Sequence, residues 1–353
     1  MEESILSPII VDGHEDIAYN RFVLSRDLFE SVAEKRAREG PQPVHGGGSA
    51  TVGYPELMLG NVRIVFATLY AAPERPGRAE FGKTYSSQQQ AHDQAWEQLQ
   101  YYISIASDPR VTLITRRADL DRVISSPNPG LGLVVLMEGA DPIVQPKEVS
   151  EWFDAGVRIV GTSWGKTRYA GGTGAPGGLS QLGRELLAEM EGAGMVLDIS
   201  HMAEQSFFEA LDLFHGSMMA SHSNCRAFVD TDRQLSDEMI RALVTRDGVI
   251  GTVVYNRFLQ AGWDKKMGKD AVGLEDVVRH IRHVCDLAGD TLHAAIGSDF
   301  DGGFGNESTP REIDTVADLQ KLDAVLARDL TNEDVSNILG ENWIRFLRRV
   351  LPE

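Results

Sequence analysis

Eight short apolar runs, most of them rich in β-branched residues, recur along the chain: 9–16 (IIVDGHED), 61–70 (NVRIVFATLY), 132–141 (GLVVLMEGAD), 157–164 (VRIVGTSW), 195–201 (MVLDISH), 217–223 (SMMASHS), 249–255 (VIGTVVY) and 294–300 (AAIGSDF). Their near-continuous hydrophobicity, without the alternation of a half-solvated sheet, predicts parallel strands buried on both faces. Between most of them, apolar residues at helical spacing mark 87–107, 148–154, 179–193, 203–214, 236–245 and 274–287. Strands alternating with helices predict one α/β domain spanning 1–353, a (β/α)8 barrel of the TIM type; an open doubly wound sheet is the structural alternative. Residues 17–60 and 165–178 fall outside the repeat and read as Gly/Pro-rich loops following a strand, where a barrel places lids and substrate walls. Residues 311–349 predict two further C-terminal helices packed outside.

Composition narrows the class. The chain has 353 residues, 42% hydrophobic and 24% charged, which is enough apolar material for a large core. A formal charge of −18 disfavours a nucleic-acid partner, whose phosphates are met by cations. The opening MEESILSPIIVDGHED lacks a basic segment followed by an apolar stretch, so no signal peptide is predicted. No apolar run approaches the roughly 18 residues of a membrane span, and two cysteines, Cys225 and Cys285, make no disulfide framework. The expected address is the cytoplasm.

Acids and imidazoles gather at the last positions of the apolar runs: His14 and Asp16 in the first, Glu138 in the third, His201 in the fifth, His222 in the sixth and Asp299 in the eighth. In a barrel these ends share one face, and unpaired buried carboxylates there cost several kcal/mol each, so a cation is implied. Imidazoles mixed with carboxylates suit zinc and related divalent ions, whereas Mg²⁺ or Ca²⁺ favour oxygen ligands. Three carboxylates and three imidazoles exceed one catalytic zinc, so two ions are expected. One carboxylate could bridge ions about 3.5–4 Å apart that share a hydroxide, while another moves the proton. Glu138 and Asp299 fill those roles, although Asp301 has the same facing parity as Asp299.

Two other motifs compete. Gly161-Thr-Ser163-Trp-Gly165 has the nucleophile-elbow spacing, and His45-Gly-Gly-Gly48 resembles an oxyanion motif, but a Gly-rich loop follows Ser163 where an elbow needs a helix. Gly172-x-Gly174-x-x-Gly177 has dinucleotide spacing, but Pro176 interrupts it.

The segments VDGHEDIAYN, MEGAD, LSQLGRELLAEMEGAGMVLDISHMAEQSF, ASHSNCRAF, GSDFDGG and NILGENWIRFL, in this order, resemble the membrane (renal) dipeptidase family, peptidase family M19, within the amidohydrolase-like barrels. The resemblance implies hydrolysis of dipeptides with two zinc ions. It implies that His14 and Asp16 hold one ion, that His201 and His222 hold the other, that Glu138 bridges them and that Asp299 shuttles the proton. Arg233 is implied to grip the substrate's free carboxylate, and a homodimer is implied because relatives often are dimers. In one place the chain departs from the pattern. Trp164 stands where relatives carry a substrate-binding histidine, and the next residues include Lys166 and Arg168, which could replace the lost donor or bind another acidic group. The alternatives are therefore action on a lactone, cyclic amide or modified amino acid, and a barrel that binds ligand without catalysis.

Overall fold

The computed structural model describes residues 8–74, 82–126 and 130–353; residues 1–7, part of the stretch read as lacking a leader, lie outside the described residues. Eight parallel strands form the central sheet: β1 (Ile10–Glu15), β2 (Val62–Tyr70), β3 (Leu131–Glu138), β4 (Val157–Gly161), β5 (Val196–Asp198), β6 (Met218–Met219), β7 (Ile250–Thr252) and β8 (Ala294–Ile296). They are ordered β6-β5-β4-β3-β2-β1-β8-β7, and a parallel bridge between Ala220 and Ile250 joins the two ends into a barrel. The open sheet is thereby excluded. A short extra strand, Val111–Leu113, pairs beside the start of β3.

Neighbouring residues in the strands enter different cores, as expected of strands with no solvated face. Ile64 and Phe66 of β2 join Val134, Leu136, Ile159 and Met219 in one cluster, while Val65, Ala67 and Leu69 pack with the surrounding helices in another. The helices begin where serine can satisfy free backbone amides: Ser87, Ser180 and Ser236 accept from the amides of Gln90, Gly183 and Met239.

Three expectations change. Residues 17–60 are not one loop but carry three short helices, Ile17–Leu24, Val32–Glu39 and Tyr54–Leu59. The second exposes most of its surface and buries only Val32 and Lys35, so it lacks the apolar stripe that would have revealed it. The loop after β4 folds back as an antiparallel hairpin of Ala170–Gly172 with Ala175–Leu179. The C-terminal segment does not merely pack outside: Trp343, Ile344, Phe346 and Leu347 share the cluster of Val11, Ile64 and Phe66, and Trp343 Nε1 donates to the Ile296 carbonyl at 2.8 Å. The helix Asn342–Val350 thus plugs the barrel. Among the described residues, no helix is long and apolar enough to cross a membrane.

Candidate metal centre

The ladder ends earlier than the apolar runs. Glu138 is the last residue of β3 and His14 lies within β1, but Asp16, His201, His222 and Asp299 stand one to three residues beyond their strands. Two buried aspartates replace the missing ladder. The Asp198 carboxylate accepts from the Ser200 amide at 3.0 Å and the Ser221 amide at 2.9 Å; Asp12 accepts from the Ser298 amide at 2.7 Å and the His14 amide at 3.3 Å. His201 and Asp299 then adopt left-handed backbone, with φ of 65° and 61°, which turns both side chains inward.

The result is a tight convergence around one oxygen. Glu138 Oε1 lies 3.0 Å from His201 Nε2, 3.4 Å from His222 Nε2 and 3.7 Å from His14 Nε2. His14 and His222 stack with ring centroids 3.6 Å apart, and Asp299 Oδ1 is 4.0 Å from His14 Nε2. The far side of each ring meets a hydroxyl. Ser221 Oγ donates to Asp198 Oδ2 at 2.6 Å and presents its lone pairs to His222 Nδ1 at 2.7 Å and His14 Nδ1 at 3.3 Å. Thr173, from the hairpin, places its Oγ1 3.0 Å from His201 Nδ1. A hydroxyl that gives its own proton elsewhere can only accept from Nδ1–H, which leaves Nε2 as the lone-pair donor. The close approach around Ser221 requires glycine: a Cβ on Gly251 or Gly297 would fall 2.0 or 1.8 Å from its carbonyl oxygen.

Burial sets the charges. It drives Glu138 and Asp299 well above the ordinary carboxylate range, and the charge of Asp16 raises both further. It pushes Asp16 up to about 6 against the opposing hydrogen bond from Thr68, and lowers His14 to about 3. His201 and His222 are lowered well below the usual imidazole range by the same desolvation. Neutral imidazoles and strained carboxylates are what a cation relieves. His14 Nε2 is buried without a hydrogen-bond partner, and two donor groups, His14–Glu138–His222 and His14–Asp16–Asp299, each lie within 4.8 Å. This donor set fits divalent metal ions of the zinc type.

The remaining candidates separate. Asp301 points away from the centre: its carboxylate accepts from the Thr51 amide at 2.8 Å and hydroxyl at 2.7 Å and lies 3.6 Å from Arg26. Asp299 is therefore the acid at the centre. Arg233 is buried; its Nη2 donates to the His222 carbonyl at 2.7 Å, its Nη1 to Ser223 Oγ at 3.2 Å, and its Nε has no partner. Trp164 lies beside His201 with ring centroids 5.8 Å apart and lines, with Lys166, Thr173 and His201, a cleft of about 850 Å³. Arg168 faces away, binding the Ile143 and Val144 carbonyls and the Tyr169 hydroxyl. Ser163 is buried with its hydroxyl unpartnered, and no helix begins until Gln181, so the elbow reading fails. Gly172 to Gly177 span the hairpin, not a turn from strand to helix.

Comparison with known proteins bears on the family and the fold. The profile described as Membrane dipeptidase (Peptidase family M19) matches residues 3–351. An uncharacterized protein in the pqqA 5'region of Klebsiella pneumoniae is 30% identical over 271 residues, 73% of this chain and 96% of that one. Dipeptidase tcpJ of Claviceps purpurea is 33% identical over 177 residues, 49% of this chain, and the match spans only 39% of its length. Among solved structures, the probable dipeptidase PvdM from Pseudomonas aeruginosa superposes with a TM-score of 0.80 at 18% identity, covering 97% of this chain and 95% of that one. A metallo peptidase from Rhodobacter sphaeroides, liganded with a phosphinate mimic of the dipeptide L-Ala-D-Ala, gives 0.78 at 22% identity, with 98% and 99% covered. At these identities the two structures attest the barrel alone. The family match covers nearly the whole chain: it belongs to the membrane dipeptidase family, peptidase family M19, and is a metal-dependent hydrolase.

Proposed function

We propose that the chain hydrolyses the amide bond of a dipeptide, or of a related amide with a free carboxylate, using two divalent ions, zinc first among them. The observation that carries this reading is the approach of three imidazole Nε2 atoms to Glu138 Oε1, at 3.0, 3.4 and 3.7 Å. His14 and Asp16 would hold one ion, His201 and His222 the other, and Glu138 would stand between them. When bound, the ions supply the acid strength that makes water a nucleophile near neutral pH and polarises the scissile carbonyl.

The protein's own groups do the rest. Asp299, raised toward protonation by burial and the charge of Asp16, takes the proton of the attacking water and returns it to the leaving amine. Arg233, with its Nε unpartnered, offers a buried cation to the substrate's free carboxylate. Trp164 contributes an aromatic wall and at most one N–H donor in place of an imidazole. Chelation should abolish hydrolysis of dipeptides and zinc should restore it. Full activity in a demonstrably metal-free sample would overturn the reading.

Trp164 in the cleft wall also favours a second reading, in which the substrate is a lactone, cyclic amide or modified amino acid. A panel of L,L- and L,D-dipeptides run beside such compounds discriminates: turnover of simple dipeptides near the diffusion limit eliminates it.

A further inference from the structure

In a chain whose formal charge is −18, the cleft above His201 stands out, because its lining carries two cations, Lys166 and Arg257, against one acid, Glu74. Among the described residues, no carboxylate forms an ion pair with either cation. They arise from different loops, Lys166 after β4 and Arg257 after β7, so the fold brings them to one cavity from separate parts of the barrel.

Both are mounted on fixed backbone. Beside Lys166, the Thr167 hydroxyl donates to the Thr162 carbonyl at 2.7 Å, and the hairpin lies so close that a Cβ on Gly172 would fall 2.3 Å from the Gly165 oxygen. Arg257 belongs to the short helix Asn256–Leu259, pinned where Asn256 Nδ2 donates to the Thr309 carbonyl at 2.9 Å. The preceding Tyr255 is fixed by its ring, which stacks on Phe304 at 4.3 Å. Fixed backbone at both positions keeps the two cations on the wall of one cavity, so that a single anionic group can meet both.

We infer that Lys166 and Arg257 form a second carboxylate subsite, so that the preferred substrate is a dipeptide carrying an acidic side chain besides its free terminal carboxylate. The inference rests on the dipeptide-hydrolase reading above, in which buried Arg233 takes the terminal carboxylate. The cleft's volume of about 850 Å³ leaves room for a side chain of glutamate length beyond the metal centre. Glu74 on the same wall repels an acid approaching from its side and so directs the carboxylate toward the cations.

The test compares near-isosteric pairs on the metal-loaded enzyme: Ala-Glu with Ala-Gln, and Glu-Ala with Gln-Ala. One pair should show a kcat/KM ratio of about tenfold favouring the acid, the scale of a partly screened charge meeting two cations. That pair identifies which substrate residue carries the recognised side chain. The ratio should fall with added salt and collapse toward unity in Lys166→Met/Arg257→Met, whatever happens to the amide substrate alone. Ratios near unity in both pairs, or a high ratio that survives the double substitution, overturn the subsite while leaving the proposed hydrolysis intact. If no dipeptide is cleaved, the hydrolase reading fails, and calorimetric binding of Ala-Glu, Ala-Gln, Glu-Ala and Gln-Ala to the same protein still decides the subsite by the same ratios.

Discussion

Ser221 has one hydroxyl proton and four polar neighbours, Asp198, His14, His222 and the Ser200 hydroxyl. Because the proton goes to Asp198, the two stacked imidazoles, His14 and His222, are oriented by a single oxygen. Ser221→Ala should therefore lower the affinity for both metal ions, by about 10–100-fold, the usual effect of losing an outer hydrogen bond to a ligating histidine. It should also cost about 1–3 kcal/mol of stability, since Asp198 and His222 lose a buried partner. Thr173→Val should weaken only the ion held by His201. Competition against a chromophoric chelator reads both; two ions bound as tightly as in the parent protein by both variants would refute the positioning role. The acids add a pH dependence. Asp16 titrates at about 6 and Glu138 well above its ordinary range, so as pH falls through about 6 protons occupy the groups an ion must claim. His14, lowered to about 3, stays neutral and offers no competition there. Metal affinity should thus fall between pH 7 and pH 5, by up to about tenfold per unit for each proton displaced; constant affinity over that window would contradict it. The acids and imidazoles were legible in the sequence because they interrupt apolar runs. Asp12, Asp198, Ser221 and Thr173 were not, although the first three sit in the same runs. Capping a broken ladder leaves no periodic mark, and nothing local distinguishes a serine that bridges two rings. Lys166 and Arg168 were inseparable for the same reason, since an irregular loop has no face.

At the level of elements, strong patterning was read well and short or polar pieces were not. The eight runs are visible because a strand buried on both sides has no polar face, yet their C-terminal ends were drawn too long. Apolar composition continues past the ladder where the chain bends into left-handed turns at His201 and Asp299. The helices of 17–60 escaped because they are held by buried cations as much as by apolar stripes: Arg26 pairs with Glu39 at 2.8 Å, and Lys35 Nζ donates to the Val52 carbonyl at 2.6 Å. The C-terminal helix was visible, but its destination was not, because a helix pattern names the apolar face without naming its partner. Phe66 of β2 is part of that partner: Trp343 is fully buried and meets it with ring centroids 4.8 Å apart. Trp343→Ala should destabilise by about 3–5 kcal/mol in urea unfolding, the range of a buried large-to-small change. A loss under about 1 kcal/mol would mean that the helix packs on the barrel without plugging it.

Across the whole molecule, the barrel's pairing is uneven, and the candidate metal centre straddles its weak and strong arcs. The β2–β3 ladder has seven paired positions, whereas β5–β6 has two and the ring closes through one bridge between Ala220 and Ile250. His201 and His222 follow those two short strands, while His14 and Glu138 belong to well-paired ones. Ions coordinated by all four would tie the weak arc to the strong one. A ligand that binds only the folded state stabilises by about 2.7 kcal/mol at a hundredfold excess over its Kd, so two ions would add roughly 5 kcal/mol. Chelation should accordingly lower the melting temperature by several degrees. It should also act locally: amide exchange should speed up most at 196–202 and 218–223, where loss of the ions leaves little else to hold the chain, and least in β2 and β3. Hydrogen-exchange mass spectrometry on metal-loaded and chelated protein measures both regions together. Uniform acceleration would show that the ions stabilise the barrel as a unit, and unchanged exchange at 218–223 would remove His222 from their coordination.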